Sequence, residues 1–175
     1  HIDILVNNAG LLTSKYEKTV DGHEMTWGTN YLGPFLLTEL LLPLVEKADE
    51  GRIVNVSSLG HYDVVMHARE LTHRLRTKGN TSVTINSLHP GVIATEIGRE
   101  QGFGLTLMLA LGCFFLKTWK DGAQTSLYCA LSTDLKGVSG HYYSDCARKL
   151  ESPVALDDLA CKELYEYSLN AVGLA

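Results

Sequence analysis

The chain is poor in cysteine: its four, at positions 113, 129, 146 and 161, are spread without any Cys-x-x-Cys pair. That spacing excludes a zinc ribbon or a disulfide frame and points to reduced thiols in an intracellular protein. None of the seven histidines forms a His-x-x-x-His pair, so the helical zinc-ligand pattern is missing as well. There is no run of five or more Lys and Arg, and 15 basic residues face 20 acidic ones for a formal charge of −5. A nucleic-acid partner and a polybasic membrane surface are thereby excluded. The apolar run Leu105 to Leu116 has 12 residues, against the roughly 20 that span a bilayer. No internal repeat or low-complexity tract is present, and any targeting segment is expected to be either absent or cut off. What is present is 45% hydrophobic and 20% charged residues. A chain of this size buries roughly 70% of its unfolded surface, so one folded domain over 1–175 is expected.

Three short apolar segments with little alternation read as strands buried in a parallel sheet. They are Ile2 to Val6, Ile53 to Ser58 and Ser82 to Leu88. Between them lie a long helical pattern from Asp21 to Val45 and a shorter one from Met66 to Thr77. Pro34 should kink the first helix, because it lacks a backbone donor. On the second, His67, Arg69, Glu70, His73, Arg74 and Arg76 read as a solvated face. A helix from Lys120 to Leu131, a short strand near 140–143 and a last helix from Asp157 to Asn170 complete the pattern. Asp157, Asp158 and Glu163 read as solvated, and Trp27 and Trp119 as packing residues. Strand, helix, strand, helix, strand at this spacing predicts an α/β, Rossmann-like, doubly wound parallel sheet. Because the chain opens directly on a strand, it is expected to be the carboxyl-terminal part of a longer α/β protein.

Ligands of such sheets sit beyond the carboxyl ends of the strands. Those ends read Asn7-Asn8-Ala9-Gly10, Ser57-Ser58 and His89-Pro90-Gly91-Val92-Ile93-Ala94-Thr95. Singly, each is an ordinary turn. Taken in order, with Asn30-Tyr31-Leu32-Gly33-Pro34-Phe35 in the long helix, they resemble the short-chain dehydrogenases/reductases. Asp21-Gly22-His23-Glu24, Asp121-Gly122-Ala123-Gln124-Thr125-Ser126 and Ser139-Gly140-His141-Tyr142-Tyr143-Ser144 are similar to the retinol dehydrogenase branch.

The resemblance implies hydride transfer between NADP, or NAD, and an alcohol or carbonyl on an apolar substrate such as retinal, a steroid or a lipid aldehyde. By position it assigns Ser58 to the substrate oxygen and Asn30 to a water relay. It places Asn7, Asn8, Ala9 and Gly10 at the adenosine end of the cofactor, and Pro90, Gly91, Val92 and Thr95 at the nicotinamide and phosphates. It further implies association of the complete protein with the endoplasmic reticulum membrane. Residues 99–120 correspond to an apolar substrate lid. Within them, 105–116 can line a pocket, touch a membrane interface or pack as core.

The departure from the family is large. No tyrosine is followed four residues later by lysine, and only 31 residues separate Ser58 from Pro90. The piece that should carry the acid/base Tyr and its Lys is therefore expected to be missing after about Val65. Tyr62 is left as a loop residue. Gly98-x-x-x-Gly102-x-Gly104 has phosphate-loop spacing but does not turn a buried strand into a helix. The amino-terminal βαβ unit with a true glycine-rich turn is expected to be absent. Its loss would leave the first strand at an open edge and the isolated chain poorly soluble or partly folded. Cofactor binding would be impaired and turnover lost, and the alternative function is a non-catalytic binding or dimerisation module.

Overall fold

The computed structural model describes residues 1–58, 62–93 and 117–175. The strands are β1 (Ile4–Asn7), β2 (Arg52–Val56), β3 (Thr84–His89), β4 (Tyr142–Ser144) and β5 (Ala147–Lys149), in the spatial order β1-β2-β3-β4-β5. The first four run parallel, with Asn7 opposite Asn55 and Leu88 opposite both Val56 and Tyr143. β5 returns antiparallel on β4 through a two-residue turn; the sequence reading had only one strand there. At the other edge, β1 exposes 37% of Ile4 and 44% of Val6, whereas β2 and β3 are buried nearly throughout. Full burial of the first strand, expected from its apolar run, is therefore not found. A strand with one unpaired edge keeps solvent on that side.

The helices are α1 (Met25–Trp27), α2 (Gly33–Val45), α3 (Tyr62–Thr77), α4 (Trp119–Leu131) and α5 (Asp158–Ala171). Glu24 caps α1, its carboxylate accepting from the Thr26 and Trp27 amides. A π-turn, Gly28–Leu32, joins α1 to α2. Pro34 lies in the first turn of α2, which continues the preceding helical segment without an extended cap, so its missing N–H interrupts the hydrogen-bond ladder there. The expected distortion is thus displaced into the turn before the proline.

Tyr31, Leu32, Phe35, Val45, Ile53, Leu71, Leu75, Val83 and Ile85 join α2, α3 and the sheet in one core, sealed by Tyr165 of α5. A second cluster, with Val54, Leu88, Cys129 and Tyr143, seats α4 on the opposite side. Asp157 caps α5 by accepting from the Leu159 and Ala160 amides.

The face of α3 expected to be solvated is partly interior. His67 and Glu70 are buried, because α5 packs over them and Arg74 reaches Glu70 and Glu166 from the rim. Trp27 does pack against the core and stacks beside Tyr31. Trp119, by contrast, is 71% exposed at the start of α4, so it is not a packing residue. Asp158 pairs with Arg69, which ties α5 to α3.

Candidate functional site

The parallel register brings the carboxyl ends of β1, β2 and β3 side by side, so three of the sequence-predicted segments meet at one edge of the sheet. Asn7 is the innermost member. Its Nδ2 donates to Thr38 Oγ1 at 2.9 Å and to Asn55 Oδ1 at 2.7 Å. Asn7 thereby ties β1 to α2 and β2. Neither Thr38 nor Asn55 was singled out in the sequence, although an Asn within the apolar Ile53-Val54-Asn55-Val56 run was the available signal. Asn7 Oδ1 is buried without a hydrogen-bond partner, as is His67 Nε2. Both residues line one small cleft with Asn30, Tyr31, Pro34, Asn55, Val56 and Val64.

Asn8, Ala9 and Gly10 are exposed beyond β1, the position required of residues that meet a ligand from solvent. Asn30 stands in the π-turn and acts as a clamp. Its Oδ1 accepts from the Leu11 amide and its Nδ2 donates to the Leu11 carbonyl, both at 2.8 Å. A Cβ at Gly10 would lie 3.3 Å from Asn30 Oδ1, so a glycine lets the two segments meet. Asn30 thus clamps the Leu11 backbone through its side-chain amide, which keeps a second N–H and a second lone pair beyond these two bonds.

Ser57 closes β2 by donating its amide to the Leu88 carbonyl at 2.7 Å, and Ser58 follows half-buried. Tyr62 is the first residue of α3, not a loop residue, and is half exposed. One turn on stands Met66, buried in a cluster with Val65, Ala155 and Cys161. No cation therefore follows Tyr62 at the helical spacing that would lower a phenol pKa.

Four other phenols, Tyr31, Tyr142, Tyr143 and Tyr165, are shifted the wrong way for acid/base work near neutrality. Burial pushes Tyr143 up to about 12, and burial also raises Tyr31 and Tyr165. Tyr31 OH bonds Ser168 Oγ at 2.8 Å, and Tyr165 OH donates to Glu39 at 2.6 Å.

At the end of β3, Pro90 and Gly91 are half-buried and Val92 is exposed. Gly91 has φ +92°, a left-handed conformation that favours glycine. The chain returns beside this turn at Lys117, whose amide donates to the Val92 carbonyl at 2.9 Å. Lys117 was not singled out in the sequence. Thr95, the Gly98-to-Gly104 glycines and the run 105–116 lie outside the described residues. Among the described residues, no cluster of His, Cys, Asp and Glu could hold a metal, and no helix is long and apolar enough to cross a membrane.

Comparison with known proteins gives the family. The short chain dehydrogenase family profile matches residues 1–103. Human retinol dehydrogenase 11 is 38% identical over 99% of this chain and 62% of its own length. Mouse retinol dehydrogenase 13 is 39% identical over 99% of the chain and 61% of its own length. The chloroplastic short-chain dehydrogenase TIC 32 B of Brassica napus is 34% identical over 98% of the chain and 64% of its own length. The chain thus spans about three fifths of these relatives. A crystal structure of an uncharacterized protein from Mycobacterium Paratuberculosis superposes with a TM-score of 0.73 at 26% identity, covering 98% of this chain and 67% of that one. The chain belongs to the short-chain dehydrogenase family and stands on its retinol dehydrogenase-like side.

Proposed function

We propose that the chain carries the scaffold of an NAD(P)-dependent oxidoreductase for an apolar alcohol or carbonyl, such as retinol and retinal, and that these 175 residues hold that scaffold without turnover. The observation that carries the reading is the meeting of Asn7 to Gly10, Ser58 and Pro90 to Val92 at one sheet edge, beside a helix that begins at Tyr62 with Met66 one turn on. A phenol of pKa near 10 needs an adjacent cation to work near neutrality, and loss of one positioned acid/base costs about 10²–10⁴ in rate. The alignment with human retinol dehydrogenase 11 supports a deficit: it extends over 200 positions, at least 25 more than the 175 residues here. Asn8, Ala9 and Gly10 would receive the adenosine end of NADP, or NAD, and Pro90, Gly91 and Val92 its nicotinamide end. Ser58 would face the substrate oxygen.

The test is an assay of the purified chain with NADPH and retinal. The expected result is no oxidation of NADPH above background. Turnover within tenfold of a retinol dehydrogenase would overturn the scaffold reading.

A second reading, a non-catalytic dimerisation module, is favoured by α2. There Leu37, Leu40 and Leu44 are exposed at helical spacing and form an apolar stripe.

A further inference from the structure

The turn at the end of β3 is held by more than its own sequence. Lys117 donates its amide to Val92, and its aliphatic stem crosses Gly91 so closely that a Cβ there would lie 2.7 Å from Lys117 Cδ. The Lys117 ammonium is ion-paired with Asp145. Asp145 belongs to the two-residue turn between β4 and β5, where Asp145 and Cys146 both have φ 55°. They are the non-glycine residues with positive φ among the described residues. Such a turn has type I′ character and ordinarily favours Asn, Asp or Gly; a cysteine there is strained. The strained turn is kept in place from outside, since the Cys146 amide donates to Oγ1 of the buried Thr125 on α4 at 3.3 Å. Ile93, next along from Val92, seats against Gly122 of the same helix. The Lys117 segment and α4 thus meet Gly91 to Ile93 directly, and the β4–β5 turn is joined to them through one charged contact. Strain of this kind persists where the surroundings over-determine it and often marks a functional constraint.

We propose that Lys117 and Asp145 are positioning residues: their ion pair holds the Pro90-Gly91-Val92 turn in the shape in which it meets the nicotinamide end of the cofactor. The role in binding rests on the reading given above, whereas the hold on the turn does not.

Two substitutions isolate the charge. Lys117→Met keeps the stem over Gly91, and Asp145→Asn keeps a residue that tolerates the left-handed turn. Amide hydrogen exchange of the whole chain is the measurement. Both variants are expected to speed exchange of the residue-117 amide at least tenfold, with the amides of β2 and of Ser126 to Leu131 unchanged. Lys117→Arg, which keeps the cation, should stay within twofold of the parent. Unchanged exchange in both variants would overturn the proposal, and so would an increase shared equally by β2 and α4, which marks general loss of stability. NADPH titration of tryptophan fluorescence gives the second readout. A fivefold or greater weakening in both variants, restored by Lys117→Arg, is expected; equal affinity in all four proteins would overturn the role in binding. If the parent chain binds no NADPH, the cofactor reading fails, and the exchange data still decide whether the pair holds the turn.

Discussion

Asn30 shows how one side chain can set the path of the chain at a site. Its two hydrogen bonds to the Leu11 backbone set the path of the segment that leaves Gly10, and the π-turn places the amide at the right depth. π-turns recur at functional sites because the extra residue re-aims neighbouring side chains. Asn30→Ala should lose both bonds and leave the Leu11 peptide partly unsatisfied. A destabilisation of about 1–3 kcal/mol is expected from urea unfolding. Asn30→Asp, which keeps the acceptor but sets a carboxylate oxygen against the Leu11 carbonyl in place of the donor, should lose at least as much. A stability equal to the parent in Asn30→Ala would show that water replaces the clamp. That Thr38 and Asn55 accept from Asn7 was illegible in advance, because a pairing across 31 and 48 residues leaves no local pattern even where the polar residue itself stands out.

Among the elements, α4 is set against the β3 turn by shape. A Cβ on Gly122 would lie 2.1 Å from Ile93 Cδ1, closer than any real contact, so Gly122 is needed for the approach of helix to turn. Gly122→Ala should destabilise by about 1–3 kcal/mol through overpacking. Combining it with Ile93→Ala should return part of that loss, and strict additivity in a double-mutant cycle would show that the two do not press on each other. The Asp121-Gly122-Ala123 segment was legible as part of a family pattern, whereas the reason for its glycine was not. The missed strand β5 has a related cause. Ala147-Arg148-Lys149 has no apolar signal, being an exposed edge whose charge discourages further pairing. It pairs only because the Asp145-Cys146 turn folds it back.

For the whole molecule, two partly buried histidines couple stability to pH. Burial, and then the charge of Lys117, lower the pKa of His89 from 6.5. Burial, and then Arg148, lower that of His141. The folded state therefore binds fewer protons than the unfolded chain as pH falls through the unfolded value. Their contribution is present above about pH 6.5 and is lost as pH drops through the lowered folded values. Tm is expected to fall between pH 7.5 and 5, and the double variant His89→Gln/His141→Gln should flatten that slope; an unchanged slope would assign it to other groups. The sequence alone determined the order of β1 to β4 and of α2 to α5, and the family, because short apolar runs ending in Asn-Asn-Ala-Gly, Ser-Ser and Pro-Gly are local patterns that survive without contacts. It also determined that no tyrosine has a lysine four residues on, which is a matter of spacing. Tertiary structure alone decided that His67 and Glu70 are interior, that Asn7 bonds Thr38 and Asn55 while Asn30 bonds the Leu11 backbone, and that Lys117 meets Asp145. Each of these depends on groups distant in sequence but adjacent in space, and only the packing of α5, α4 and the β4–β5 turn on the sheet brings them together.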